Sequence, residues 1–201
     1  MHFGLHLCSN RTCCKPCSSD VSISHLCIYM TVCLCYSQGL QELPAAEKGV
    51  VFGSMTLQKN CIKSLHKLWS FPLLLYLDVS GNQLRSLSGV QELRALRVLK
   101  ATRNSIERIS HIEDLTQLRI LSLGHNKLPN SGISDCLWLE FVDISYNRIQ
   151  ELKDIEGVFP LPNLGHLVTK GNPFTECENY MEDVVCQIRS LWRVDSTDVN
   201  P

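Results

Sequence analysis

The densest chemistry in this 201-residue sequence lies at its start, where Cys8, Cys13, Cys14, Cys17, Cys27, Cys33 and Cys35 account for seven of the 11 cysteines. Cys14 and Cys17 form a C-x-x-C pair, with His2, His6, Cys8, Cys13, His25 and Cys27 near enough in sequence to complete a set of soft ligands. Thiolates and imidazoles hold tetrahedral zinc, and a C-x-x-C is equally a dithiol centre. Neither chemistry has its usual context, since no second pair at zinc-module spacing follows and no strand-to-helix unit opens on the motif. Residues 1–49 are therefore expected to be a Cys-rich, poorly ordered segment that the rest of the chain does not need in order to fold. The alternative is a zinc-binding or redox segment that the rest of the chain targets.

Elsewhere the chemically capable residues are dispersed. His66, His111, His125 and His166 stand in no nucleophile, metal or phosphate motif. Asp78 and Asp143 occupy equivalent places in a repeating frame described below, three strands apart, which at strand spacing is about 14 Å and too far for two carboxylates to cooperate. The sequence points to no enzyme, no catalytic residue, no metal ligand outside the N-terminal segment and no cofactor. With 19 basic and 20 acidic side chains the chain has no bulk charge with which to bind nucleic acid directly or to coat a membrane.

The elements that must position these residues are set by a repeat. Asparagines recur at Asn60, Asn82, Asn104, Asn126, Asn147 and Asn172, at spacings of 22, 22, 22, 21 and 25. Apolar residues return eight, five and three places before each and two after, as in Leu74, Leu77, Val79 and Leu84 around Asn82, save that Thr169 takes one of these places before Asn172. This is the leucine-rich repeat pattern L-x-x-L-x-L-x-x-N-x-L. In a strand the residues five and three before the Asn point into the core, and those six, four and two before it point to the opposite face. The Asn follows the strand, where its amide can pair backbone groups of neighbouring coils left open by the turn. Apolar residues five and eight after it, such as Leu65 and Leu68, close each coil on the convex side through a helical turn. The expected fold is α/β, a right-handed leucine-rich repeat solenoid with a parallel concave sheet, six coils over residues 50–176 and a cap over 177–201. Two irregularities are expected: a distorted fourth coil, where Ser131 takes an apolar place and Ile133 and Cys136 compensate, and an insertion at residues 159–162 (FPLP), which cannot continue a helix.

Residues 96–109 (LRVLKATRNSIERI) resemble the intracellular class of these repeats typified by protein phosphatase 1 regulatory subunit 7. The end of the chain is similar to that class's C-terminal cap: residues 171–174 (GNPF), then Tyr180, an apolar helix with Val184, Val185 and Ile188, then Leu191, Val194 and Asp195. The resemblance covers residues 51 to about 199. It implies an interaction role, with a phosphatase catalytic subunit, a ribonucleoprotein subunit or a cytoskeletal protein as partner.

The frame itself supplies a surface for such a partner. Tyr76, Val98, Ile120 and Phe141 form one line across four coils, continued by His166, with Asp78, Lys100, Ser122 and Asp143 in the flanking row. An apolar centre with a polar rim is the anatomy of a protein interface. These nine residues are the expected partner-binding site of a monomeric scaffold. Residues 21–36 (VSISHLCIYMTVCLCY) are the longest apolar stretch and mimic a signal peptide, but at 16 residues they fall short of a bilayer span. The four cysteines of the repeats and cap bracket nothing, as befits reduced thiols in the cytoplasm or nucleus, with association to the cytoskeleton as a further expectation.

Overall fold

The computed structural model describes residues 5–7, 31–43, 51–133 and 136–199. Among the described residues ten strands form one sheet in chain order: β1 (Leu5–Leu7), β2 (Thr31–Leu34), β3 (Phe52–Thr56), β4 (Tyr76–Asp78), β5 (Val98–Lys100), β6 (Ile120–Ser122), β7 (Phe141–Asp143), β8 (His166–Val168), β9 (Arg193–Val194) and β10 (Thr197–Asp198). Strands β1 to β9 pair in parallel and β10 turns back antiparallel on β9. Parallel neighbours need a crossover, and from β3 to β8 each crossover is one coil of the right-handed solenoid. The fold is that of leucine-rich repeat proteins.

The core follows the asparagine frame. Every residue placed eight, five and three before a frame Asn, and two after it, is at most 2% exposed, Thr169 included. On the convex side the apolar residues recur every three places: Leu65, Leu68, Phe71 and Leu74 in one coil, Leu87, Val90, Leu93 and Leu96 in the next. A period of three suits a 3-10 turn, in which side chains at i and i+3 eclipse and so all face inward. The backbone does this, with Leu68 N–H donating to Leu65 O at 3.1 Å and Phe71 N–H to Leu68 O at 2.8 Å. Among the described residues 3-10 turns span His66–Ser70, Val90–Glu92, Leu152–Val158 and Pro173–Glu176.

The irregular fourth coil buries Ser131, Ile133 and Cys136, each 1% exposed. Ser131 is tied to the next coil through its backbone, its N–H donating to Asp154 O at 2.7 Å. The FPLP insertion follows directly on the turn Leu152–Val158, and Leu161 from within it enters the core. At the C-terminal end, helix α1 (Tyr180–Gln187) buries Val184, and Ile188, Leu191 and Val194 close the last coil.

The N-terminal end departs from the sequence expectation. Residues 31–43 fall within the segment expected to stand apart from the repeats, yet β2 pairs with β3 from Thr31↔Phe52 to Leu34↔Thr56. Cys33 and Cys35 are fully buried, with their sulfurs 3.5 Å apart, and Leu43 is buried too. Counted from Gln38, which stands 22 places before Asn60, these residues occupy the frame's places five and three before and five after. Two of the N-terminal cysteines are thus core side chains. The C-x-x-C at residues 14–17, together with Cys8, Cys13, His25 and Cys27, lies outside the described residues. Among the described residues no group of three or more His, Cys, Asp or Glu side chains is placed to hold a metal, and no helix is long and apolar enough to cross a membrane.

Candidate protein-binding face

The frame asparagines hold the concave strands in register. Asn104 donates its amide to Ala101 O at 3.0 Å in its own coil and to Val79 O at 3.1 Å in the coil before, while its oxygen accepts Leu84 N–H at 3.0 Å. Asn82, Asn126, Asn147 and Asn172 repeat the arrangement, and Asn60 extends it to Cys35 O, Gln38 N–H and Leu40 N–H. One primary amide therefore satisfies an inward carbonyl on each of two coils and an inward N–H. A carboxamide alone offers donor and acceptor together at this length.

Register then assembles the expected surface. Ser54, Tyr76, Val98, Ile120, Phe141 and His166 pair across successive strands, and so do Thr56, Asp78, Lys100, Ser122, Asp143 and Val168. Of the nine residues expected to bind a partner, Tyr76, Val98, Lys100, Ile120, Phe141, Asp143 and His166 are half-buried on this face. Asp78 and Ser122 are buried, at 2% and 8% exposure. Asp78 is held by Gln58 Nε2, by Ser80 N–H at 3.0 Å and by the Tyr76 hydroxyl at 3.4 Å, so it acts as an internal brace for the strand end. Asp143 does the same for Ser145, accepting its N–H at 2.9 Å and its hydroxyl at 2.6 Å. The two carboxylates are occupied locally and sit three strands apart.

Tyr76 is the aromatic anchor at one end of the line. The Lys100 ammonium sits 5.7 Å from its ring centre. Burial, and then the adjacent Asp78 carboxylate, push its hydroxyl above the ordinary tyrosine range, which keeps it a neutral phenol. At the other end the Phe141 ring meets His166 edge-on at 4.9 Å. His166 is fixed in turn by the cap, its Nε2 lying 3.1 Å from Asp195 O and its ring 5.8 Å from that of Trp192.

Two features were not legible as site residues. Asp195 accepts Thr169 N–H at 2.7 Å, Lys170 N–H at 2.9 Å and the Tyr180 hydroxyl at 2.9 Å, closing the last coil from just past β9. The residue before each frame Asn is left-handed: Lys59, Gly81, Arg103, His125, Tyr146 and Gly171 all have φ between 50° and 75°. That turn stacks their side chains along the solenoid, and His125 lies face to face on Tyr146 at 4.3 Å. Glycines at 81 and 171 are the sequence trace of the left-handed place, since only Gly adopts it freely. At Gly171 the bare Cα also leaves room for the Tyr146 ring.

No protein-family model matches the chain, and no curated protein matches it either. Solved structures do resemble it. A leucine-rich repeat protein of Leptospira interrogans aligns at 22% identity over 82% of this chain and 42% of its own, with a TM-score of 0.68. The internalin InlF of Listeria monocytogenes aligns at 23% identity over 75% of this chain and 44% of its own, TM-score 0.60. The functional domain of InlJ from the same organism aligns at 20% identity over 81% and 38%, TM-score 0.56. The chain spans less than half the length of each. These likenesses establish the leucine-rich repeat fold.

Proposed function

We propose that the chain is a non-enzymatic interaction scaffold that binds a protein partner on its concave sheet, acting as a monomer in the cytoplasm or nucleus. The observation that carries this reading is the row of Tyr76, Val98, Ile120 and Phe141, one per strand and half-buried, with Lys100 and Asp143 beside it. A rigid sheet meets a partner with little ordering cost, and large aromatic side chains on such a surface carry most of the binding energy. The sequence resemblance to protein phosphatase 1 regulatory subunit 7 favours a phosphatase catalytic subunit, with ribonucleoprotein and cytoskeletal proteins as the other candidates it implies.

The test is affinity purification of the full chain from cells, followed by titration of the recovered protein against variants. Tyr76→Ala and Phe141→Ala should each cost at least about 1 to 2 kcal/mol of affinity. Lys100→Glu should act mainly on the association rate and its salt dependence. Glu92→Ala and Arg94→Ala, exposed on the far side, should be silent. Retained affinity in the Tyr76→Ala, Phe141→Ala double variant, with loss in a far-side variant, would place the interface elsewhere.

A further inference from the structure

The edge of the sheet beyond the strand C-termini carries a charge pattern that the concave line does not use. Lys59, Lys63, Arg85, Arg103, Lys127 and Arg148 all lie between one place before and three places after a frame Asn, over five consecutive coils. Five of the six are exposed and Lys127 is half-buried. Backbone bonds carry the strand ladder on into this edge: Gln83 N–H donates to Ile62 O, Ser105 N–H to Leu84 O and Lys127 N–H to Ile106 O, each at 2.9 Å. The backbones that carry these cations are therefore held at coil spacing, about 4.8 Å, along a rigid rim. Among the described residues the ion pairs are Lys67–Glu42, Arg119–Glu140, Lys153–Glu151 and Arg193–Asp198, so none of the six cations has a carboxylate partner. Glu107 is the sole acidic side chain within this band between the coils of Asn60 and Asn126. A recess of about 460 Å³, lined by Lys63, Gln83, Arg85 and Ser105, opens in the same rim.

We infer that this rim docks an extended acidic peptide segment of a protein partner, with one carboxylate seated in the recess between Lys63 and Arg85. The recess supplies two cations, an amide and a hydroxyl, which together satisfy a carboxylate's lone pairs. From the coil of Lys63 to that of Arg148 is about 19 Å, the reach of about six residues of extended chain. Nucleic acid fits less well, because its bases need open aromatic faces. The aromatic rings beside this rim are already engaged: Tyr146 lies between His125 and Gly171, and the Tyr36 ring has the Lys59 ammonium 5.1 Å from its centre. None of the six cations belongs to the concave line, so the inference stands or falls apart from the reading above.

The experiment is fluorescence anisotropy of the full chain with a labelled peptide of about eight glutamates, against a glycine–serine peptide and an oligothymidylate of matched length. Saturable binding of the glutamate peptide is expected, weakening as salt is raised from about 50 to about 200 mM. K63E/R85E should weaken it by at least about tenfold. R94E/R189E, which changes net charge equally at exposed sites away from the rim, should hold within about twofold, as should Y76A/F141A. K63Q/R85Q serves in place of the reversal if that variant melts early. Absence of saturable binding, equal loss in R94E/R189E, or tighter binding of the oligothymidylate would each overturn the inference.

Discussion

Replacing Asn126 by Ala tests the ladder at its middle, and the structure sets the size of the effect. The Asn126 amide donates to Ala101 O at 3.0 Å and Leu123 O at 2.9 Å, and its oxygen accepts Ile106 N–H at 3.0 Å. The losses are unequal. Ala101 O keeps a donor in Asn104 at 3.0 Å, and Leu123 O keeps one in Asn147 at 3.1 Å. Ile106 N–H loses its acceptor inside the protein, and an unpaired buried donor costs about 1 to 3 kcal/mol. Adding a fraction for two under-satisfied carbonyls gives about 2 to 3 kcal/mol, read as a shift in the denaturant midpoint at constant slope. Asn126→Asp sharpens the test. It keeps the acceptor for Ile106 but aims a second oxygen at two carbonyls, so its carboxyl should titrate high in the folded state. Its stability should therefore be greatest at low pH, where the group is protonated and donates, and should fall as pH rises through that raised value. A change below about 0.5 kcal/mol in both Asn104→Ala and Asn126→Ala would refute the ladder as a stabilising device.

Gly89 has φ of 110°, and an added Cβ would overlap the Leu65 carbonyl of the neighbouring coil, so Gly89→Ala should destabilise by at least about 2 kcal/mol in a thermal or denaturant melt. A neutral result would mean the first two convex turns pack less closely than described. The Tyr180 phenol, ordinarily near 10.0, is pushed up to about 12, by burial first and then by its hydrogen bond to Asp195. A raised tyrosine favours the neutral, folded form, so its contribution is complete below about pH 10 and is lost as pH rises towards 12. After discounting for solvent screening this is about 1 kcal/mol. An ultraviolet phenolate titration should show late-titrating groups from Tyr76 and Tyr180, and Tyr180→Phe should remove one of them.

Which parts were legible in the sequence follows from how each residue does its work. The six coils were legible because Asn, Leu and Ile act there by type: an amide that both donates and accepts, and branched side chains that fill a core. The line from Tyr76 to Phe141 was legible for the same reason, as alternation fixes which side chains face outward. The burial of Asp78 was not, because it depends on Gln58 in a different coil supplying a donor. The His125 and Tyr146 stack was hidden by the left-handed turn, which re-aims side chains that simple alternation would place differently. Residues 31–43 escaped because Gln38 replaces Asn. One methylene longer, its amide turns outward to Tyr36 O at 3.0 Å, and the inward role passes to Asn60 alone.

That substitution makes the N-terminal boundary the most informative place to cut. From composition alone, a chain beginning at Ala45 should melt as the whole chain does. The structure leads to the opposite expectation. Such a chain loses β2 and with it the parallel pairing along β3, whose Met55 is fully buried, as is Leu57 just beyond it. It also loses Cys33, Cys35 and Leu43 from the core, on the order of 5 kcal/mol of apolar burial. Asn60 would be left with its oxygen unpaired, because Gln38 N–H and Leu40 N–H both donate to it. In a solenoid stability passes between nearest neighbours, so an uncovered first coil frays and its open strand edge invites association. The shortened chain should melt earlier and with lower cooperativity by circular dichroism, and should scatter light at concentrations where the whole chain stays clear. A chain beginning at residue 31 should recover most of the loss, since it restores β2, the two buried cysteines and the Asn60 partners. If the chain from Ala45 melts as the whole chain does, the coil of residues 31–43 contributes nothing to the fold and the solenoid begins at β3.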